Sequence, residues 1–133
     1  TTAIDGDGAI KAMEAAQKAG VKRFYLVSVV PDAGRDRPRD EGFEHYMAEK
    51  KRADVALAQS DLDWIILRPG TLQDQDGDGQ VSMDRITTYG DVARGNVAAA
   101  LATLIDMPQI KCEMIEVMDG DTNVRDAAKS LLR

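Results

Sequence analysis

Residues Val21 to Val30 read VKRFYLVSVV, a run rich in β-branched and aromatic side chains that carries no charge after Arg23. A strand with one face in water alternates apolar and polar residues at period two. This run does not alternate, so both of its faces need cover. A parallel sheet with helices packed on either side supplies that cover.

The flanking segments fit the demand. From Gly8 to Ala19, the residues Ile10, Met13, Ala16 and Ala19 recur at helical spacing, and Gly20 is well placed to close the helix. Pro31 to Gly42 is a charged loop, and a second helix is predicted from Glu44 to Gln59, ended by Ser60 and Asp61. Asp63 to Arg68 is a second short buried strand, stopped by Pro69 and Gly70. Leu72 to Met83, with Gly77 and Gly79, reads as a turn or β-hairpin excursion. Thr88 to Asp91 fits a capping box ahead of a helix from Val92 to Ile105. Cys112 to Met118 is a third strand and Val124 to Leu132 a last amphipathic helix. Helix and strand in alternation imply parallel pairing with crossover helices, an α/β fold.

Composition narrows the function classes. The chain has 133 residues, suited to one domain, with 44% hydrophobic and 30% charged residues, which favours a soluble globular protein. Net charge is -6 and no Lys/Arg block forms a stripe, which disfavours a nucleic-acid partner. No apolar run reaches the roughly 18 to 20 residues that span a bilayer, so no membrane role is expected. The N-terminal TTAIDGDGAI lacks the basic and apolar regions of a secretory signal. Cys112 stands alone, which excludes an internal disulfide and a Cys-cluster zinc site and makes a reducing cytoplasm the natural home.

A specific order of segments carries a resemblance. AGVKRFYLVSVV is followed by Tyr46-Met-Ala-Glu-Lys50 on a helix, then DLDWIILRPG, then the TTYGDVA helix start, and last MDGDTNVRDA. Together these resemble the atypical short-chain dehydrogenase/reductases, the NAD(P)H-binding and NmrA-like group. The resemblance implies a three-layer Rossmann-like parallel sheet. It also implies that residues 1–133 form a single partial domain, the C-terminal half of a doubly wound fold without its Gly-rich βαβ unit. Gly6 and Gly8 in DGDG follow no strand and sit among Asp5 and Asp7, which would repel a phosphate, so they read as a helix-leading loop. By the same resemblance about four strands precede this part of the fold.

The Tyr–Lys spacing has a chemical reason. Residues four apart share a helix face, so Tyr46 and Lys50 can point into one cleft. A nearby ammonium favours the phenolate and suits the tyrosine to acid/base work. The resemblance implies that Tyr46 exchanges a proton with a substrate carbonyl or hydroxyl, while Lys50 holds the nicotinamide ribose. It also implies cofactor contact by Ser28 and by the strand-end segment Arg68-Pro69-Gly70, which reads equally well as a strand terminator. The family often has a serine as the second of two at the strand end before the tyrosine helix. Here Ser28 takes the first place and Val29 the second, and adjacent strand residues point to opposite faces. The cofactor implied is NADP or NAD, NADP by family habit only, acting on a small-molecule substrate that the sequence does not name.

Three functions stay open: a nicotinamide-dependent oxidoreductase or epimerase-like enzyme, a non-catalytic dinucleotide-sensing or regulatory module, and an α/β fragment that binds nothing until it associates. Weak or no dinucleotide affinity is expected of this chain alone. The first strand is expected to leave an edge open, and an open strand of this type invites self-association. Asp74, Asp76 and Asp78 stand at places one, three and five of an EF-hand-like loop, but place twelve is Arg85 and no helix precedes it. An ordinary turn is the expectation and no metal is assigned. His45, the sole histidine, reads as a helix-surface residue, and Met13 and Trp64 as core.

Overall fold

A computed structural model describes residues 6–30 and 41–132. The charged loop at 31–40 lies outside the described residues. In chain order the elements are α1 (Ala9–Lys18), β1 (Arg23–Val27), α2 (Glu41–Ala58), β2 (Asp63–Pro69), β3 (Thr71–Gln73), β4 (Gln80–Asp84), β5 (Asp91–Ala93), α3 (Arg94–Ile105), β6 (Glu113–Asp119), β7 (Thr122–Asn123) and α4 (Val124–Lys129). The main sheet has five strands in the order β1-β2-β6-β4-β7. β1, β2 and β6 are parallel, and β4 runs antiparallel to both β6 and β7.

Strand alternation sorts β2 into two cores. Trp64 and Ile66 face α1 and α2, packing with Met13, Ala53, Leu57 and Leu62. Ile65 and Leu67 face the other way, into a cluster with Ile115, Val117, Leu104, Ala128 and Leu131. That gives three layers, helix on sheet on helix, with the doubly covered strands that their unbroken apolar sequence requires. None of the described helices is long and apolar enough to cross a membrane.

α1 closes as its sequence suggests: Gly20 has φ +77°, its N–H donates to the Gln17 carbonyl, and the Val21 N–H reaches back to the Ala16 carbonyl. β1 is shorter than the apolar run, ending at Val27, and lies at the sheet's edge, pairing with β2 alone among the described residues. Both its faces are packed, Phe24 and Leu26 towards α2 and Tyr25 towards the opposite cluster, but Val27 is 38% exposed. β2, between β1 and β6, is the interior strand buried on both faces.

Two local readings are corrected. Leu72 to Met83 is not a hairpin. β3 pairs in parallel with β5 as a separate two-stranded sheet, while β4 joins the main sheet beside β6. The connection between them is fastened by Asn96 on α3, whose Oδ1 accepts from the Gly79 N–H at 2.9 Å and whose Nδ2 donates to Asp119 at 2.8 Å. The capping box at Thr88 to Asp91 also does not form. Pairing with β3 keeps Asp91–Ala93 extended, so α3 starts at Arg94 with no side-chain cap. Long-range acceptors serve instead: the Ala93 N–H donates to Asp119 Oδ1 at 3.0 Å and the Gly95 N–H to the Gln75 carbonyl at 3.0 Å.

Gly95 sits where a Cβ would lie 1.5 Å from the Asp76 carbonyl oxygen, whereas a Cβ on Gly90 meets nothing within 4 Å. Gly95→Ala gains about 1 kcal/mol of helix propensity but forces the Asp76 backbone aside, for a net loss of about 1–2 kcal/mol. Gly90→Ala stays within about 0.5 kcal/mol of the parent. Urea unfolding of the two variants checks both values, and equal midpoints would contradict the close approach.

Candidate active site

In a parallel sheet, ligands bind beyond the carboxyl ends of the strands. Three segments meet there: the residue after β1, the end of β2, and the face of α2 that packs over them. The β1–β2 ladder continues one residue past Val27, with the Ser28 N–H donating to the Leu67 carbonyl at 2.7 Å, so Ser28 sits beside Arg68. Ser28 follows the alternation of Phe24 and Leu26 onto the α2 side and is buried.

On α2, Tyr46 and Lys50 are both half-buried, one turn apart, and the Lys50 ammonium lies 5.8 Å from the Tyr46 ring centroid. The Phe43 ring stands 6.5 Å from that of Tyr46. One further turn on is Asp54, which sequence reasoning missed. It is buried, with 3% of its surface exposed, and its Oδ2 accepts from Arg68 Nη2 at 2.9 Å. Its position four residues beyond Lys50 was a usable signal, because 46, 50 and 54 share one side of a helix. An acidic residue there reads as solvated until the strand-end arginine is known to face it.

Among the described residues, the buried side-chain polar atoms without a hydrogen-bond partner are Ser28 Oγ, Asp54 Oδ1 and Arg68 Nε. All three belong to this corner of the fold. Leaving such atoms unpaired costs on the order of 1–3 kcal/mol each, so their concentration in one place singles out this corner as the candidate site.

The strand-end tripeptide divides its work. Arg68 turns its guanidinium to Asp54 on α2, and Pro69 pairs with Val117 at the end of the ladder. The Gly70 N–H donates to the Val117 carbonyl at 3.2 Å. A Cβ on Gly70 would lie 2.0 Å from the Gly90 carbonyl oxygen and 2.4 Å from Met118 Sδ. Glycine at 70 is therefore demanded by packing within the chain, where the path leaves the main sheet for β3.

The acidic loop is occupied with its own neighbours. Asp74 accepts from Arg94 Nε at 2.6 Å, and Asp78 accepts from the Gln80 N–H at 2.9 Å and from Asn96 Nδ2 at 3.3 Å. The Gln80 amide first, then Asn96, hold the Asp78 carboxyl below its ordinary value. Among the described residues no three His, Cys, Asp or Glu side chains gather into a metal-binding set. His45 is exposed on α2.

Comparison with known proteins agrees with this fold. Residues 1–108 match the NAD(P)H-binding family. The uncharacterised sugar epimerase YhfK of Bacillus subtilis is 35% identical over 131 residues, which is 98% of this chain and 61% of the relative. Among solved structures, a candidate NAD-dependent epimerase/dehydratase from Bacillus halodurans superposes with a TM-score of 0.86 at 33% identity, covering 96% of this chain and 60% of that one. A short-chain dehydrogenase/reductase from Veillonella parvula, solved with NADP, shares the fold at a TM-score of 0.69 and 18% identity, over 89% of this chain and 60% of that one. The chain thus spans about three fifths of the length of these three proteins. A match over most of the sequence, with a relative aligned along nearly all of it, shows that the chain belongs to the NAD(P)H-binding family.

Proposed function

We propose that this chain carries the proton-handling side of a NAD(P)-dependent oxidoreductase or epimerase-like protein of the atypical short-chain dehydrogenase/reductase group. The observation that carries the reading is the pairing of Tyr46 with the Lys50 ammonium at 5.8 Å, over a corner holding Ser28, Asp54 and Arg68. The cofactor, when bound, supplies or accepts the hydride. Tyr46 gives its phenolic proton to a substrate oxygen that gains electron density, or takes it back in the reverse direction. Lys50 favours the phenolate electrostatically and offers donors to a ribose hydroxyl.

The residues fit one end of a dinucleotide only. Ser28 and Lys50 offer donors and a hydroxyl suited to the nicotinamide and its ribose. By contrast, Gly6 and Gly8 lie ahead of α1 beside the Asp7 carboxylate, which repels a phosphate. NADP is favoured over NAD by family habit alone, and the lone Cys112 favours a cytoplasmic setting.

A fluorescence titration with NADPH and NADH, following cofactor emission and Trp64, tests the reading. The 133-residue chain by itself is expected to bind with a Kd above about 1 mM, and to bind in the micromolar range once joined to the part of the Bacillus subtilis relative it leaves uncovered. In that fusion, Tyr46→Phe lowers kcat by about 10²–10⁴-fold with Kd unchanged. Binding without turnover would favour a dinucleotide-sensing module, in keeping with Val29 at the second position. No binding in either form would sink the proposal.

We also infer self-association of the isolated chain through β1, whose outer edge has no strand partner among the described residues. Sedimentation should show the apparent mass rising with concentration, and a monomer throughout at high concentration removes the inference.

A further inference from the structure

The buried residues of α2 are Ala53, Asp54 and Leu57, all in its C-terminal half. Tyr46 lies in the N-terminal half and Lys50 at the helix's middle, so both precede the three residues that seat α2 on the sheet. Ala53 and Leu57 pack by dispersion, which is non-directional and tolerates small sliding of one element over another. Asp54 is different, because its bond to Arg68 Nη2 at 2.9 Å has a required distance and direction. Arg68 is itself held in the sheet, paired with Glu116 of β6.

The pair is poorly designed as a source of stability. Asp54 Oδ1 and Arg68 Nε are buried without partners even while the bond between the two side chains is made. Buried ion pairs with unmet polar atoms commonly add nothing over apolar residues of the same size. What the pair does supply is a fixed point between α2 and the end of β2, with the Ser28 hydroxyl beside it.

We propose that Asp54, through its ion pair with Arg68, is a positioning residue that holds the Tyr46–Lys50 face of α2 in register with the ends of β1 and β2. The proposal rests on the reading of Tyr46 and Lys50 as the proton-handling centre, and it predicts that their mutual influence depends on Asp54.

The test is a double-mutant cycle read by NMR on the full chain with ¹³C-labelled tyrosine rings, where Tyr25 and Tyr89 serve as internal references. Lys50→Met is expected to raise the ionisation midpoint of Tyr46. In the Asp54→Asn background the same substitution should raise it by less than half as much, and in Asp54→Glu the full effect should return. Near-UV circular dichroism of Trp64 reports whether each variant keeps its fold. Should Asp54→Asn fail to fold, the apolar pair Asp54→Leu/Arg68→Met replaces it, since buried pairs exchanged together are usually tolerated. An equal rise in both backgrounds, with only the melting temperature lowered, would reduce Asp54 to a structural residue and overturn the proposal. No response of Tyr46 to Lys50→Met in the parent chain would instead overturn the centre itself, and the positioning role with it.

Discussion

The rest of this structure hangs on β2 being buried on both faces. Ile65, Ile66 and Leu67 are consecutive and all fully buried, which a strand achieves only by sending alternate side chains into separate cores. Each such residue contributes about 1.5–3 kcal/mol on burial, so neither helical layer is dispensable. Met13 on α1 and Leu57 on α2 cover one face, Leu104 on α3 and Ala128 on α4 the other. With both faces taken, only the strand ends remain open to a ligand. Ser28, Asp54 and Arg68 collect at the carboxyl end.

At that end the molecule tolerates polar atoms it would otherwise exclude. Elsewhere buried polar groups are met: Asn96 serves Gly79 and Asp119, and Glu113 accepts from Arg85. Around Ser28, Asp54 and Arg68 the pairing is incomplete. Local rules are commonly broken at functional sites and satisfied away from them, and the contrast within one small sheet follows that pattern. Burial also sharpens the electrostatics. An ammonium near a phenol matters more where water is partly excluded, and Tyr46 and Lys50 are both half-buried.

Local pattern was a good guide where burial follows period. β1 and β2 are legible because their apolar runs leave no side for water, and α1 because Met13 and Ala16 recur over a turn before Gly20. It failed where hydrogen bonds come from far along the chain. The pairing of β3 with β5 joins Thr71 to Asp91 in register, and no residue in either three-residue strand announces the other. The supposed cap at Thr88 lost to that pairing, since Asp91 cannot be extended in a strand and also close a helix. β4 looks like the second arm of a hairpin because Gly77 and Gly79 precede it, yet its partner is β6, with Val81 set against Asp119.

The candidate site divides along the same line. Tyr46 and Lys50 are neighbours by helical geometry alone, so four-residue spacing was enough to bring them together. Ser28 and Arg68 are neighbours only because β1 and β2 pair in parallel, and Asp54 reaches Arg68 only because α2 crosses back over that pair. By itself the sequence determined the layered α/β class, the family and the Tyr–Lys face, all of which rest on contacts within one or two turns or on the sidedness of a strand. The tertiary structure alone decided which strand ends adjoin, which glycines are packing requirements, and that Asp54 is buried against Arg68. Those depend on where distant segments dock, and docking is set by the summed fit of whole surfaces, which no single stretch of residues encodes.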